Sequence, residues 1–242
     1  MLLEMDVTLT SGNASVLFGA RDASNVFMWS VNTLDNEKEP LIRRHIYDRG
    51  RLQSSDTPIG KFFTKSDLLN KEHHLAIEAK DGVVKTYIDK VLVDTYTDTD
   101  SKLSNGYIGF RAFRGNNTNE TAMFDNIVLT EYEQKGDKEE AKVVLKEDFE
   151  KPQSAFEGGE IVSVGGNRKL NMVSGSGDYR VLQVDMSGVP MFRKEFKAKK
   201  KIASARIYSS ALGVYDLFIN GQRVGNKICL LYTSPSPRDG AT

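Results

Sequence analysis

The first ten residues, MLLEMDVTLT, alternate strictly: Leu3, Met5, Val7 and Leu9 fall on one side, Glu4, Asp6 and Thr8 on the other. Successive side chains of a strand point to opposite faces, so this pattern predicts a half-buried strand. Short runs of the same kind recur along the chain, separated by turn residues, and helical periodicity is almost absent. No strand–helix–strand unit is visible, which excludes a parallel α/β sheet. The expected class is all-β, with antiparallel strands stacked as a sandwich.

Within 1–133 the runs are distinct. SVLFGARD (15–22) and NVFMWSVN (25–32) flank Ala23-Ser24, and Phe27, Trp29 and Val31 share one face. Residues 32–60, carrying LIRRHIYDRGRL, read as a long polar loop. HHLAIEAK (73–80) places Leu75, Ile77 and Ala79 inward. Asp81-Gly82 signals a two-residue hairpin, and Asp89-Lys90 divides the two strands of VVKTYIDKVLVDTY. NGYIGFRAF and TAMFDNIVLTEY close the region. The charged stretch 134–145 then reads as a linker. A second β-unit is expected over 146–228, punctuated by Gly158-Gly159, Gly165-Gly166 and Gly175-Ser-Gly177. Its sharpest signal is the run ending in Asn220-Gly221, a two-residue hairpin turn.

Composition narrows the function classes. Lys and Arg number 33 against 33 Asp and Glu, so there is no electrostatic footprint for nucleic acid or an anionic membrane. No apolar stretch is long enough to span a bilayer. Acids at positions 4 and 6 argue against a signal peptide at this N-terminus. The single Cys, Cys229, permits no intrachain disulfide.

Candidate glycan-binding residues are Trp29, the only Trp, and Arg43, Arg44, Tyr47 and Arg49, with His45, from the polar stretch. A sugar packs its C–H face on an aromatic ring. The competing reading places Trp29, between Phe27 and Val31, in the core, and the polar stretch in a solvated flap. His73-His74 cannot chelate one ion from a strand, because neighbours point apart; one packed and one exposed His is expected. Asp125-Asn126 offers oxygen ligands that suit structural calcium, although a turn or hydrogen-bonding role is the expectation, and no cofactor is expected. Asn13, Asn116 and Asn119 each head a glycosylation sequon of the kind that arises by chance in Asn-rich loops. No nucleophile–His–acid order, phosphate loop, metal cluster or catalytic residue stands out.

Two resemblances follow from quoted residues. HHLAIEAKDGVVKTYIDKVLVDTY, GYIGFRAF and AMFDNIVLTEY together resemble the concanavalin A-like lectin/glucanase fold of the laminin-G-like kind, which implies a jelly-roll sandwich over 1–133. Phe192–Phe196, Ile202–Arg206, Leu212-Gly213 and the run from Tyr215 to Gly225 resemble the opening of the N-terminal β-domain of bacterial α-L-rhamnosidases, glycoside hydrolase family seventy-eight. That resemblance implies a truncated second β-sandwich over 146–228. It also implies a bacterial, periplasmic or extracellular location, a rhamnose-containing glycan as partner, and an inverting catalytic barrel outside the chain. This part is then expected to be inactive. An adhesion module without an enzyme, or an accessory domain of another glycoside hydrolase, remains open. A glucanase is disfavoured because Glu4-Met-Asp6 lacks a third acid. The tail CLLYTSPSPRDGAT (229–242) follows an unfinished hairpin and back-translates into a transposase-type sequencing adapter, so it is expected to be non-native. On this reading 1–133 folds alone and 141–228 does not.

Overall fold

A computed structural model describes residues 1–22, 24–99, 106–115, 118–135, 138–151, 154–183, 218–220 and 222–223. The chain forms two compact units, Met1–Gly188 and Val189–Thr242. In the first, β1 (Leu2–Ser11), β2 (Asn13–Asp22), β3 (Asn25–Asn32), β4 (Leu41–Asp48) and β5 (Arg51–Pro58) lead to a single helical turn, α1 (Lys65–Leu68). There follow β6 (Glu72–Lys80), β7 (Val83–Ile88), β8 (Val91–Thr97), β9 (Tyr107–Gly115), β10 (Thr118–Asn119) and β11 (Thr121–Lys135). The unit is completed by β12 (Lys138–Glu147), β13 (Phe156–Glu157), β14 (Glu160–Val164), β15 (Asn167–Val173) and β16 (Gly177–Gln183). Two antiparallel sheets result. The first runs β14-β15-β11-β1-β6-β7-β8, with β12 also on β11; the second runs β13-β16-β9-β2-β3-β4-β5, with β10 on β9. The all-β sandwich expected from the alternation is the observed architecture.

The alternation of β1 translates directly into packing. Leu3, Met5, Val7 and Leu9 are each at most 2% exposed, and they meet Val16, Phe18, Phe27, Trp29, Ile42, Ile46 and Phe110 of the second sheet in one core. Strand reversals use the residues the turns demand. Asp81 and Gly82 have φ of 51° and 74°, and Asp89 and Lys90 have 50° and 69°, the left-handed pair of a two-residue hairpin. The α1 turn is capped reciprocally: Asp67 N–H donates to Thr64 Oγ1, and Thr64 N–H donates to Asp67 Oδ2.

Three sequence expectations differ from the structure. Residues 32–60 are mostly a hairpin, β4 and β5, turning at Arg49-Gly50 with φ of 50° and 76°. The alternation was hidden because Arg44 stands inward between Ile42 and Ile46, and the facing β5 carries Leu52 as its one large apolar residue. Residues 134–145, expected as a linker, lie largely in strands, since β11 and β12 pair from Ile127↔Glu147 to Lys135↔Lys138, with a register shift between Leu129 and Thr130. The described residues of 146–183 do not start a separate sheet. β15 pairs with β11, and β16 pairs with β9, so they extend both sheets of the first unit. Phe149, Phe156, Leu170, Met172 and Val181 complete its core. The physical reason is that β9 and β11 otherwise present open edges over a half-covered apolar layer.

In the second unit, β17 (Phe218–Ile219) and β18 (Gln222–Arg223) form a hairpin with Asn220 at φ 50°. The pairing and the left-handed Asn220 stand where the Asn220-Gly221 turn was expected, and Gly221 lies outside the described residues. The rest of the run from Tyr215 to Gly225, the stretches 192–196, 202–206 and 212–213, and the tail 229–242 lie outside the described residues.

Candidate functional site

The strand register builds the site. Along β4, Ile42, Arg44 and Ile46 face the core, so Leu41, Arg43, His45 and Tyr47 face outward. Arg43 stands opposite Asp56 on β5 and Ser30 on β3; Ser30 is opposite Ser15 on β2; Ser15 is opposite Arg111 on β9; and Arg111 is opposite Arg180 on β16. Directly opposed residues share a face. One polar row, Asp56–Arg43–Ser30–Ser15–Arg111–Arg180, therefore crosses six strands of the second sheet.

Hydrogen bonds hold the row rigid. Arg43 grips Asp56 bidentately, Nε at 3.0 Å from Oδ1 and Nη2 at 2.8 Å from Oδ2, and reaches Glu37 at 2.9 Å. Ser15 and Ser30 share a hydroxyl bond of 2.8 Å. Arg111 Nη1 donates to Glu120 Oε2 at 2.7 Å, and its Nε donates to Asp178. Asn13 Nδ2 donates to the other Glu120 oxygen at 3.0 Å. Arg180 Nε donates to Asp178 at 2.9 Å and its guanidinium lies 5.2 Å from the Tyr47 ring centroid. Beside the row, Leu17, Ala20, Val26 and Met28 form a small apolar cluster against Tyr47. Gly19, at φ 58°, bulges β2 so that Ala20 turns to this face. A cleft of about 480 Å³ opens there, with Leu17, Val26 and Leu182 as its apolar floor and Arg180 and Glu157 as polar walls.

The charges act on one another. The hydrogen bond from Arg43 holds the Asp56 carboxyl below its usual range, and the same bond raises the guanidinium further. Burial pushes the Glu120 carboxyl up, against the opposing pull of Arg111 and Asn13. His45 is pushed down from 6.5, first by burial and then by the positive charges of Arg111 and Arg43. Between the lowered folded value and 6.5, the unfolded chain binds more protons, so His45 contributes stability above that window and loses it on acidification. As the pH falls below 6.5 the chain should lose melting temperature relative to His45→Gln, which lacks this contribution. Parallel pH profiles for the two proteins would refute the assignment.

The candidate residues read from sequence separate. Arg43 and Tyr47 share the outward face. Trp29 is 2% exposed and sits in the core, edge-on to Phe18 at 5.0 Å and to Tyr96 at 5.6 Å between ring centroids. Arg44 points between the sheets, 3.1 Å from Asp94 on β8 and 3.1 Å from Ser55 Oγ. Arg49 is exposed at the β4–β5 turn, away from the row. Adjacent strand residues face opposite ways, so Arg43 and Arg44 never share a surface. Arg111, Asp178, Arg180, Asn13 and Glu120 were missed. The alternation in GFRAF does place Arg111 outward, but only register brings it beside Ser15.

The remaining motifs have structural roles. His73 is buried between Asp89 Oδ2 at 2.7 Å and the Asp67 carbonyl at 2.9 Å, whereas the half-exposed His74 meets Asp6 at 3.2 Å. Asp125 accepts from its neighbour Asn126 N–H at 2.7 Å and from Asn167 at 2.6 Å, the hydrogen-bonding role expected for it. Among the described residues no group of three or more His, Cys, Asp or Glu could hold a metal. The Asn13 amide is buried against Glu120, Asn119 is exposed, and Asn116 lies outside the described residues.

Fold and site together define an antiparallel β-sandwich with an ion-paired polar sheet face beside an apolar cleft. The family model of the alpha-L-rhamnosidase N-terminal domain matches residues 200–234. That match contains the run from Tyr215 to Gly225 and overlaps the tail over 229–234. Among solved structures, the chain is similar to the carbohydrate-binding module CBM66 from Bacillus subtilis, at 26% identity over 52% of this chain and 71% of that one, with a TM-score of 0.38. No curated protein matches the chain.

Proposed function

We propose that the chain is a non-catalytic, accessory part of an α-L-rhamnosidase-like glycoside hydrolase, with a carbohydrate-binding role. The observation that carries this is the match of residues 200–234 to the rhamnosidase N-terminal domain. The first unit supplies the binding surface: Arg43 and Tyr47 lie on one sheet face with Arg111 and Arg180, donors and acceptors are already fixed, and an apolar cleft adjoins them. A pyranose, with hydroxyls at its edge and C–H groups on its faces, suits such a mixed surface. The fold of this unit is read as concanavalin A-like, and a rhamnose-containing plant glycan as its ligand. A periplasmic or extracellular bacterial location follows from the same reading. Among the described residues no helix is long and apolar enough to cross a membrane.

The binding test uses the full chain on a panel of rhamnose-bearing plant glycans, read by isothermal titration calorimetry. Tyr47→Ala should weaken binding about tenfold, the scale for a ring at a small polar site. Failure to bind any member of the panel would overturn the carbohydrate reading. The enzyme reading is tested on genomic DNA: the frame should continue past codon 228 into a helical barrel with paired carboxylates, without the tail 229–242. An all-β continuation would overturn it. A stand-alone adhesion module is the second reading, favoured by one observation, that the polar row is complete within 1–183.

A further inference from the structure

We infer that the outer face of the second sheet takes an uncharged glycan segment lying across its strands; this deepens, and rests on, the carbohydrate-binding reading above. The row carries three guanidiniums, Arg43, Arg111 and Arg180, and each is already engaged by carboxylate. Arg43 is shared by Glu37 and Asp56, Arg111 by Glu120 and Asp178, and Arg180 by Asp178. Four carboxylates thus face three guanidiniums, and the face offers no surplus positive charge to a uronate or sulfate. His45 adds none at neutral pH, because its imidazole is held neutral by burial and by Arg111 and Arg43.

An anionic sugar at one of these arginines would lie against the carboxylates already paired to it and be repelled by them. A hydroxyl meets no such obstacle. A guanidinium has five N–H donors and a carboxylate about four lone-pair sites, so each ion pair retains donors and acceptors side by side. A vicinal diol both donates and accepts, and it matches that arrangement without breaking it. The row spans β5 to β16, five strand spacings, or about 24 Å; Ser15 and Ser30 are buried at its middle, and Arg43, Arg111 and Arg180 with Asp56 and Asp178 are the groups left accessible to a ligand. That length fits several consecutive sugars and exceeds one ring. The adjoining cleft sets the apolar Leu17, Val26 and Leu182 beside Asp22, Glu157 and Arg180, so it offers contact to C–H surface and no surplus positive charge.

The experiment measures retention of the full chain on a neutral galactan or arabinan and on polygalacturonate, each at low and high salt. The expected result is retention on the neutral polymer that salt leaves unchanged, with polygalacturonate at least about tenfold weaker. Asp56→Asn/Asp178→Asn changes the balance from three against four to three against two. It should gain binding to polygalacturonate by about tenfold, in a manner that added salt abolishes. Both carboxylates are substantially exposed, so the variant is expected to fold, and circular dichroism checks this. Preference of the unsubstituted chain for polygalacturonate would overturn the inference and leave carbohydrate binding intact. A folded double variant that gains nothing would overturn it too. Retention on neither polymer would overturn this inference, while the panel of rhamnose-bearing glycans decides the binding reading separately.

Discussion

A piece ending at Glu133 is expected to lose cooperative folding, whereas one ending at Gly188 should keep it. The shorter piece lacks β12 to β16, and with them Phe149, Phe156, Leu170, Met172 and Val181, each at most 5% exposed in the shared core. Burying such a side chain contributes about 1.5–3 kcal/mol. The five together contribute on the order of 10 kcal/mol, which is the whole net stability of a typical domain. The cut also opens two sheet edges, β9 from Gly109 to Arg114 and β11 from Thr121 to Phe124 and from Ile127 to Glu133, with their backbone groups unpaired. Thermal melts followed by circular dichroism, with limited proteolysis alongside, compare the two pieces. A sharp transition in the 1–133 piece, close to that of 1–188, would refute the shared core.

Arg44→Met should be the most damaging single polar substitution in the first unit. Arg44 bridges the sheets to Asp94, whose side chain is 1% exposed, and its guanidinium lies 5.4 Å from the Tyr96 ring centroid. Removing one partner of a buried pair leaves the other charged and unpaired, at a cost of about 3–5 kcal/mol. For a unit of this size that lowers the melting temperature on the order of 10 °C. Arg44→Met/Asp94→Leu removes both charges and should recover most of the loss, since an apolar replacement of such a pair is often neutral. A single variant as stable as the unsubstituted chain would show that Asp94 is solvated. A double variant no better than the single would place the damage in packing.

These two expectations mark where sequence reading stopped. The alternation in β1 identified Leu3, Met5, Val7 and Leu9 as inward, and the left-handed turns at Asp81-Gly82 and Asp89-Lys90 stand where turn chemistry placed them. LIRRHIYD was read as loop, although its period of two separates Arg43 from Arg44 as cleanly as it separates Leu3 from Glu4. The inward Arg44 disguised it, because a buried cation has no apolar signature; its partner Asp94 lies fifty residues away. The boundary expected near 133 followed the charges of EQKGDKEEAK, which belong to an exposed β11–β12 ribbon. Of the candidate glycan residues, Arg43 and Tyr47 share a face, while Trp29, Arg44 and Arg49 do not join them.

The sequence by itself determined the class: strand periodicity, turn residues and the lack of any helical stripe require antiparallel β-structure, because each acts within a few residues of its own position. Only the tertiary structure decided that β15 and β16 complete the first sandwich, and that Asp56, Arg43, Ser30, Ser15, Arg111 and Arg180 stand in one row. Both depend on which strand lies beside which and in what register. Pairing of that kind is settled by burying a common core across long separations, and no local pattern in the chain records it.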